Sequence, residues 1–474
     1  MIQKGDKKVI RGWVMYDWAN SVYNLVISSA IFPIFYEANS RGTYAKSQGI
    51  ELDKVDPNDV RVDFFGLNVS PSVLYSLVIS FSFLIVSFLS PLLSGVADYT
   101  GSKKKFLKFF CYLGSLSCMS LYFFDSSRIE LGMLSVMFAS IGYWNSLVFY
   151  NAFLPEIADN QDQDKISARG FIMGYLGSML LLILNLINIM KPDLLFDVSG
   201  MANDLMKQDS QLTKEVAMAT AKSHYVGIAT RISFLSVAFW WAGFAQITYR
   251  VLPNNVYHKK PEPGYLWRGF KELRIVFKEF QKTTRLKKYL RSFFFFNTGV
   301  QTVMLMATIF ASKAVEWPEE GGKSGLIIAI LLIQILGAVG AKITSILSDK
   351  MGNIQSLIVS VSIWVIICGC AFLIHTPIQF YFLASGVGLV MGGVQAIARS
   401  TYSKFLPETT DHASYFSFYD VTEKIGIVMG TAFFALTEYF FNDIRFSVIS
   451  VALFFLVGLI FLFMVPKEES IKHI

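Results

Sequence analysis

Three polar residues interrupt the first long apolar stretch of the chain, RGWVMYDWANSVYNLVISSAIFPIFY over residues 11–36: Asp17, Asn20 and Asn24. With Ser21 and Ser28 they recur at three- and four-residue steps, which puts them in one stripe on one helix face. A second concentration lies near the other end of the chain, where SFYDVTEKIG places Asp420, Glu423 and Lys424 on a shared face. Between them come Tyr143, Asn145 and Asn151, then Asn297 and Gln301 four apart in FFFFNTGVQ, then Gln395 and Arg399 four apart in GGVQAIARS. Carboxylates, amides and cations in this pattern can neutralise one another, hold a proton, or meet the charged ends of a small solute.

The elements that carry these residues follow from composition. Of 474 residues, 53% are hydrophobic, 15% are aromatic with 43 Phe, and only 16% are charged. Apolar segments long enough to cross a hydrocarbon core of about 30 Å recur along the whole length. Twelve are expected, at roughly 12–37, 70–97, 105–125, 129–152, 168–190, 226–250, 289–315, 322–348, 354–375, 378–403, 414–441 and 444–465. The fold class is therefore an all-α polytopic membrane protein. An ionised Asp inside a span costs about 2.5–3.5 kcal/mol on insertion scales, so the polar stripes should face protein or water. Two readings stay open for them. They line a central cavity for solute and ion, or they hold helices together through amide hydrogen bonds and permanent salt bridges.

Charge sets the expected orientation, because basic residues near span ends stay cytoplasmic. Residues 251–288 hold ten basic residues, among them Lys259, Lys260, Arg268, Lys271 and Arg274, against three acidic ones. The two long loops of the opposite side lean acidic, with four basic against five acidic residues at 38–69 and three against five at 192–224. Both termini are then expected inside. The net charge of +7 is accounted for by these inner loops facing an anionic leaflet, and nucleic acid is not an expected partner. The first apolar run is too long for a removable signal peptide. The four cysteines, Cys111, Cys118, Cys368 and Cys370, fall inside spans as small packing residues, and no metal-ligand spacing, P-loop or nucleophile elbow is present. No enzyme activity, metal or organic cofactor is expected. The loop 192–224 mixes apolar and polar residues and reads either as a short interfacial helix or as a mobile loop.

The chain repeats itself once. SGVADYTGSKKK at the end of the second span matches SILSDKMGN at the end of the eighth, aligning Asp98 with Asp349 and Gly101 with Gly352, and FLPE recurs at 153–156 and 405–408. Spans one to six and seven to twelve are thus structural copies joined by a basic linker, dividing the chain into 1–250, 251–288 and 289–474. This organisation resembles the major facilitator superfamily, whose loop between the second and third helices carries a Gly, Asp, basic, Gly, basic signature. Here Ser94 and Ser345 stand at the first glycine and the basic cluster slides to Lys103, Lys104 and Lys105. The resemblance implies twelve transmembrane helices in two six-helix pseudo-symmetric halves. It also implies an inner gate in which the loops with Asp98, Gly101 and Lys103, and with Asp349 and Gly352, hold the halves together, Asp98 against span eleven and Asp349 against span five.

Three further stretches, YDWANSVYN, YNAFLPEIA and ISARGFIMGYLG, resemble the vacuole effluxer family, the autophagy-related branch of the superfamily. That resemblance implies a transporter and suggests amino acids as cargo. The expectation is a monomeric secondary transporter of a small polar or zwitterionic solute, working by alternating access and coupled to protons. Asp17 and Glu423 are the expected proton carriers, and Lys424 or Arg399 the group that meets a substrate carboxylate. The expected setting is a bacterial inner membrane, though a vacuolar one also fits. Two alternatives remain: a lipid or lysolipid transporter, which predicts a cavity open sideways to the bilayer, and a non-transporting receptor or scaffold, which predicts polar stripes packed shut.

Overall fold

The computed structural model describes residues 4–51, 54–56, 59–125, 127–253, 265–318 and 322–467. Lys259 and Lys260 of the linker lie outside the described residues. Within them, twelve helices are long and apolar enough to cross a membrane: Lys7–Gln48, Pro71–Thr100, Lys103–Phe123, Ile129–Ile157, Gln163–Met190 and Lys214–Val251, then Thr284–Ala314, Gly325–Met351, Asn353–Leu373, Pro377–Lys404, His412–Phe441 and Ile444–Phe463. We number them as spans one to twelve. Their even number puts the chain's start, its end and the linker on one face, here called the linker face; the long loops occupy the opposite, loop face.

Local sequence explains where the spans begin and end. Thr376 and Gln379 form a reciprocal capping box at the start of span ten, each side chain accepting from the other's backbone N–H, and Pro377 fills the position where a helix needs no donor. Span two ends at Gly101, whose φ of +65° is the left-handed conformation that releases the chain into the next turn. Span one is longer than its apolar run suggested, and from Tyr23 to Ile31 it winds as a π-helix. The expected α-helical stripe therefore loses its register at Asn24, the second residue of this wider segment.

The loop at 192–224 is helical. Asp197 caps a helix over Val198–Gln208 by accepting from the Gly200 amide at 2.8 Å. Val198 and Ala202 then pack on Ala217 and Ala221. Span six consequently starts at Lys214 rather than near 226, since its first turns have an apolar partner. On the linker face, Tyr265–Lys282 forms a helix that runs along span two, with Val276 and Phe280 buried. The rings of Phe277 and Phe280 each lie 5.9 Å from that of Phe418 in span eleven, so the linker touches both halves.

Within each half the helices approach to backbone contact. A methyl group built at Gly340 would stand 1.8 Å from the Leu389 carbonyl oxygen, and one at Gly392 would stand 2.0 Å from that of Gly337, so spans eight and ten cross where only glycine fits. Gly369 has open space around it. We expect Gly392→Ala to lower the thermal unfolding midpoint in detergent, by an amount corresponding to ~1–3 kcal/mol, and Gly369→Ala to leave it where it is.

Candidate functional site

Arg399 of span ten reaches across to the first half and uses all three guanidinium nitrogens there. Nη1 and Nη2 each lie 3.2 Å from Asp17 Oδ2, Nη1 donates to Asn151 Oδ1 at 3.3 Å, Nη2 to the Ser167 carbonyl at 2.8 Å, and Nε to Ser167 Oγ at 2.9 Å. The Tyr150 hydroxyl donates to the same Asp17 oxygen at 2.8 Å. Both charges are buried, with side chains only 3% (Arg399) and 7% (Asp17) exposed. Phe171 and Trp13 close the faces of the guanidinium, its carbon 4.3 and 5.0 Å from their ring centres. Gly170 makes the approach possible, because a methyl group there would stand 2.2 Å from Asp17 Oδ2 and 2.8 Å from Arg399 Nη2. Burying two charges is tolerable only when every donor is met, and this pair meets that condition. Neither Asp17 nor Arg399 is therefore placed as an open cavity wall: Asp17 is committed to Arg399, and Arg399 has no donor left for a substrate carboxylate.

Closer to the linker face, Asp98 caps span eleven. Its two oxygens accept from the backbone amides of Ala413 at 3.2 Å and Ser414 at 2.7 Å, where the orphan donors and helix dipole favour a carboxylate. Lys103 bridges Asp98, at 3.4 Å, to Glu156, which also meets His412 Nδ1 at 3.0 Å. Glu156 belongs to the first FLPE segment, whose second copy leaves Glu408 exposed.

The copy of this gate in the second half differs from the expectation. Asp349 is exposed at the end of span eight and does not hold span five. The carboxylate comes from span five itself: Asp164 accepts from Ser348 Oγ at 2.5 Å and Asn353 Nδ2 at 2.8 Å, and pairs with Lys404 at 2.6 Å. Because span five opens with Asp162 and Asp164, a further carboxylate from Asp349 would meet like charge, so the opposing loop presents donors instead. Gly352, at φ +87°, turns the chain so that Asn353 starts span nine within reach.

Near mid-depth, Lys424 sits between two carboxylates of its own helix, 2.9 Å from Asp420 Oδ1 and 3.3 Å from Glu423 Oε2, with its ammonium 3.6 Å from the centre of the Trp144 ring in span four. Glu423 Oε1 accepts from Gln301 at 2.6 Å and from Asn297 at 3.5 Å, both in span seven. Lys424 is 1% exposed, Asp420 7% and Glu423 15%, so Glu423 is the most accessible of the three. Like Arg399, Lys424 is fully engaged.

The remaining polar residues divide. Gln395 Oε1 accepts from the Tyr175 hydroxyl at 2.7 Å across the halves. Asn145 is fully buried and turns back on the Ile141 carbonyl at 3.0 Å, while Asn20 is buried beside Ser21 and Asn24 is half-buried. The Tyr143 ring lies 5.0 Å from that of Tyr23, tilted by 39°. Asn20, Asn24 and Asn145 are thus not drawn into the Glu423 cluster. Ser167, Tyr150, Asp164, Ser348, Glu156 and His412 were not singled out from the sequence as site residues. Glu156 was visible only as part of the repeated FLPE, and Asp164 lay ahead of the expected start of span five at 168, which the structure moves to Gln163. Every hydrogen bond and ion pair between the halves, among the described residues, lies between the linker face and the level of Tyr175 and Lys424, each 12 residues, about 18 Å, inside its helix end. Among the described residues, the polar contacts that close the halves together lie on the linker side.

Two six-helix halves, sealed on one side by a polar seam, define a transporter of the major facilitator type. The solved structure of the major facilitator superfamily transporter FucP in the outward conformation matches over 98% of this chain and 99% of that one, with a TM-score of 0.66 at 12% identity. A bacterial homologue of the iron transporter ferroportin in an outward-facing state matches with a TM-score of 0.57. The family model described as "Vacuole effluxer Atg22 like" matches residues 5–195 and 211–474, and the chain belongs to that family. The MFS-type transporter YxiO of Bacillus subtilis (strain 168) is 30% identical over 460 residues, 97% of this chain and 95% of that protein. Autophagy-related protein 22 of Coccidioides immitis (strain RS) is 22% identical over 93% of this chain and 83% of its own length.

Removing one partner of a buried ion pair costs about 3–5 kcal/mol. A cysteine placed at Ala168, which is buried against Ala341 and Ala396, should react with a maleimide at least tenfold faster in Asp17→Ala than in the parent, since ~1.4 kcal/mol is tenfold in an equilibrium. Gly170→Ala should act in the same direction. Exchanging the charges, Asp17→Arg with Arg399→Asp, should recover part of the protection, and equal rates in all four proteins would remove the ion pair from the closing of this face.

Proposed function

We propose that the protein is a secondary active transporter that carries a small polar or zwitterionic solute, amino acid-like in size and charge, by alternating access and with a proton as the coupling ion. The observation that carries this reading is the Glu423 cluster: a partly exposed carboxylate, two amides and an aromatic face from the opposite half meet at mid-depth, where the linker-side seam ends. Glu423 is the group that meets the solute, and the two ionisable residues beside it, Asp420 and Lys424, hold the coupling charge. The closed linker face is the cytoplasmic one, as its basic residues favour. The Asp17–Arg399 pair, the Asp98 cap on span eleven and the Asp164 cluster hold it shut while the cavity opens to the other side. The setting is a bacterial inner membrane, supported by the Bacillus relative.

When the seam opens, Arg399 loses Asp17, Asn151 and Ser167 together, and water replaces them. When it closes, Gly170 admits the ion pair and the solute is reached from one side alone. This is alternating access built from bonds that exist in one state and not in the other.

The test is flux into proteoliposomes holding the purified protein, with a radiolabelled amino-acid mixture and an imposed pH gradient. Gradient-driven flux is expected in the wild type, with Glu423→Gln reducing it at least tenfold. Asp17→Asn should slow turnover through a poorly closed seam. Flux of labelled lysolipid in place of amino acids would replace the proposed cargo, and flux that ignores the gradient would remove the proton.

A further inference from the structure

The seam between spans two and eleven holds a carboxyl oxygen that none of the contacts of the Glu423 cluster uses. Asp420 gives one oxygen to Lys424, at 2.9 Å, while its other, Oδ2, is buried and has no hydrogen-bond partner among the described residues. The Ser90 hydroxyl of span two, also fully buried and with no other partner, lies within reach of the Asp420 carboxyl, whose Oδ2 is the oxygen left open. The helix register agrees. Asp98 meets Ala413 and Ser414, and the two helices run in opposite directions. Eight residues back along span two, about 12 Å, is Ser90; seven residues forward from Ala413 along span eleven, about 10 Å, is Asp420. Ser90, Ser94 and Asp98 are spaced by four and are all buried, so one face of span two meets this part of span eleven.

Charge points to what the gap lacks. Asp420, Glu423 and Lys424 sum to one negative charge inside the spans, and among the described residues the groups that meet this cluster from other spans are uncharged: Ser90 of span two beside Asp420, Trp144 of span four over Lys424, and Asn297 and Gln301 of span seven at Glu423. One proton would neutralise the cluster, and the two carboxylates are not equal candidates for it. Each Glu423 oxygen already accepts from an N–H donor, so neither faces a group that could accept from a carboxyl proton. Asp420 Oδ2 faces a hydroxyl that can accept as readily as it donates.

We propose that Asp420 binds a proton while the linker face is closed, and that the protonated carboxyl donates from Oδ2 to Ser90 Oγ in the opposite half. The proton comes from water on the open, loop side; the Asp420 O–H bond forms, the hydrogen bond to Ser90 bridges the seam, and Lys424 remains paired with Glu423. When spans two and eleven part, the Ser90 acceptor is withdrawn and the proton is released to water on the linker side. Protonation and closure are then one linked equilibrium. The inference rests on the transporter reading above for its purpose, but its readout is conformational and needs no solute.

The test is the distance between spin labels at the exposed positions Lys105 and Glu408, one on each half at the linker face, with the native cysteines replaced by alanine. In the wild type the short-distance population should fall as pH rises from about 5 to 9, a range wide enough to cover the titration of a carboxyl group in a protein. Asp420→Asn should hold the short distance at every pH. Ser90→Ala should lose most of the low-pH gain, and Ser90→Thr, which keeps the hydroxyl, should restore it. In infrared difference spectra the protonated-carboxyl band should move in Ser90→Ala and stay in place in Gln301→Ala. A Ser90→Ala profile that superimposes on the wild type, or a carboxyl band that responds to Gln301 and not to Ser90, would overturn the assignment to Asp420. Failure of amino-acid flux with an intact Ser90 dependence would instead remove the cargo and leave the proton site.

Discussion

The buried ion pair between Asp17 and Arg399 constrains more of this sequence than any other contact. A guanidinium placed inside the spans must satisfy all its donors or destabilise whatever state contains it. Ser167 supplies both a hydroxyl and a carbonyl, Asn151 an amide oxygen, and Tyr150 holds Asp17 from behind. The Trp13 indole donates to the Tyr150 carbonyl at 2.9 Å and stacks on its ring, so the tyrosine is itself held in place. Residue 170 must then be glycine, because the two charges occupy the volume a side chain would need. The features of YDWANS, YNAFLPEIA and ISARGFIMG are in this sense one feature, seen at three places in the chain.

The two halves share a backbone plan and divide the charges between them. In the first half, the loop after span two presents a carboxylate, Asp98, to the bare amides of span eleven. In the second, the loop after span eight presents Ser348 and Asn353 to a carboxylate, Asp164, on span five. Donor and acceptor have changed sides while the geometry of loop against helix start is retained. An internal repeat therefore predicts where two halves touch better than it predicts which partner carries the charge.

That distinction marks what was legible in the sequence. The spans were readable because crossing a bilayer demands long apolar runs, and the repeat was readable because Asp98, Asp349 and the two FLPE segments keep nearly one offset. The residues of the seam were partly readable: a charge among apolar residues draws the eye, so Asp17, Arg399, Asp420, Glu423 and Lys424 stood out. Their pairing was not, since it depends on how two rigid halves sit against each other, and nothing local in either half states which cation meets which acid. Ser167, Ser90 and Gly170 were hidden for another reason. Serine and glycine are common in membrane helices as packing residues, and only the position of a partner across the seam separates the two uses.

The kinds of contact within and between the halves explain how one chain can be both rigid and switchable. Inside a half, glycines bring backbones together at Gly340 against Leu389, Gly392 against Gly337 and Gly142 against Gly114, and no solvent molecule replaces such packing once it is lost. Across the linker side of the seam, by contrast, much of the contact is polar: Asp17 to Arg399, Ser167 to the Ala396 carbonyl, Tyr175 to Gln395, Asp164 to Lys404. Exchanging a protein hydrogen bond for one to water changes the free energy by only about 0.5–1.5 kcal/mol. A seam of this kind can part when water enters from the linker face, whereas an apolar one of equal size would resist. A seam that parts by exchanging hydrogen bonds at so small a net cost is one that a small term can decide, and in the proposed function one proton or the binding of one solute would supply it.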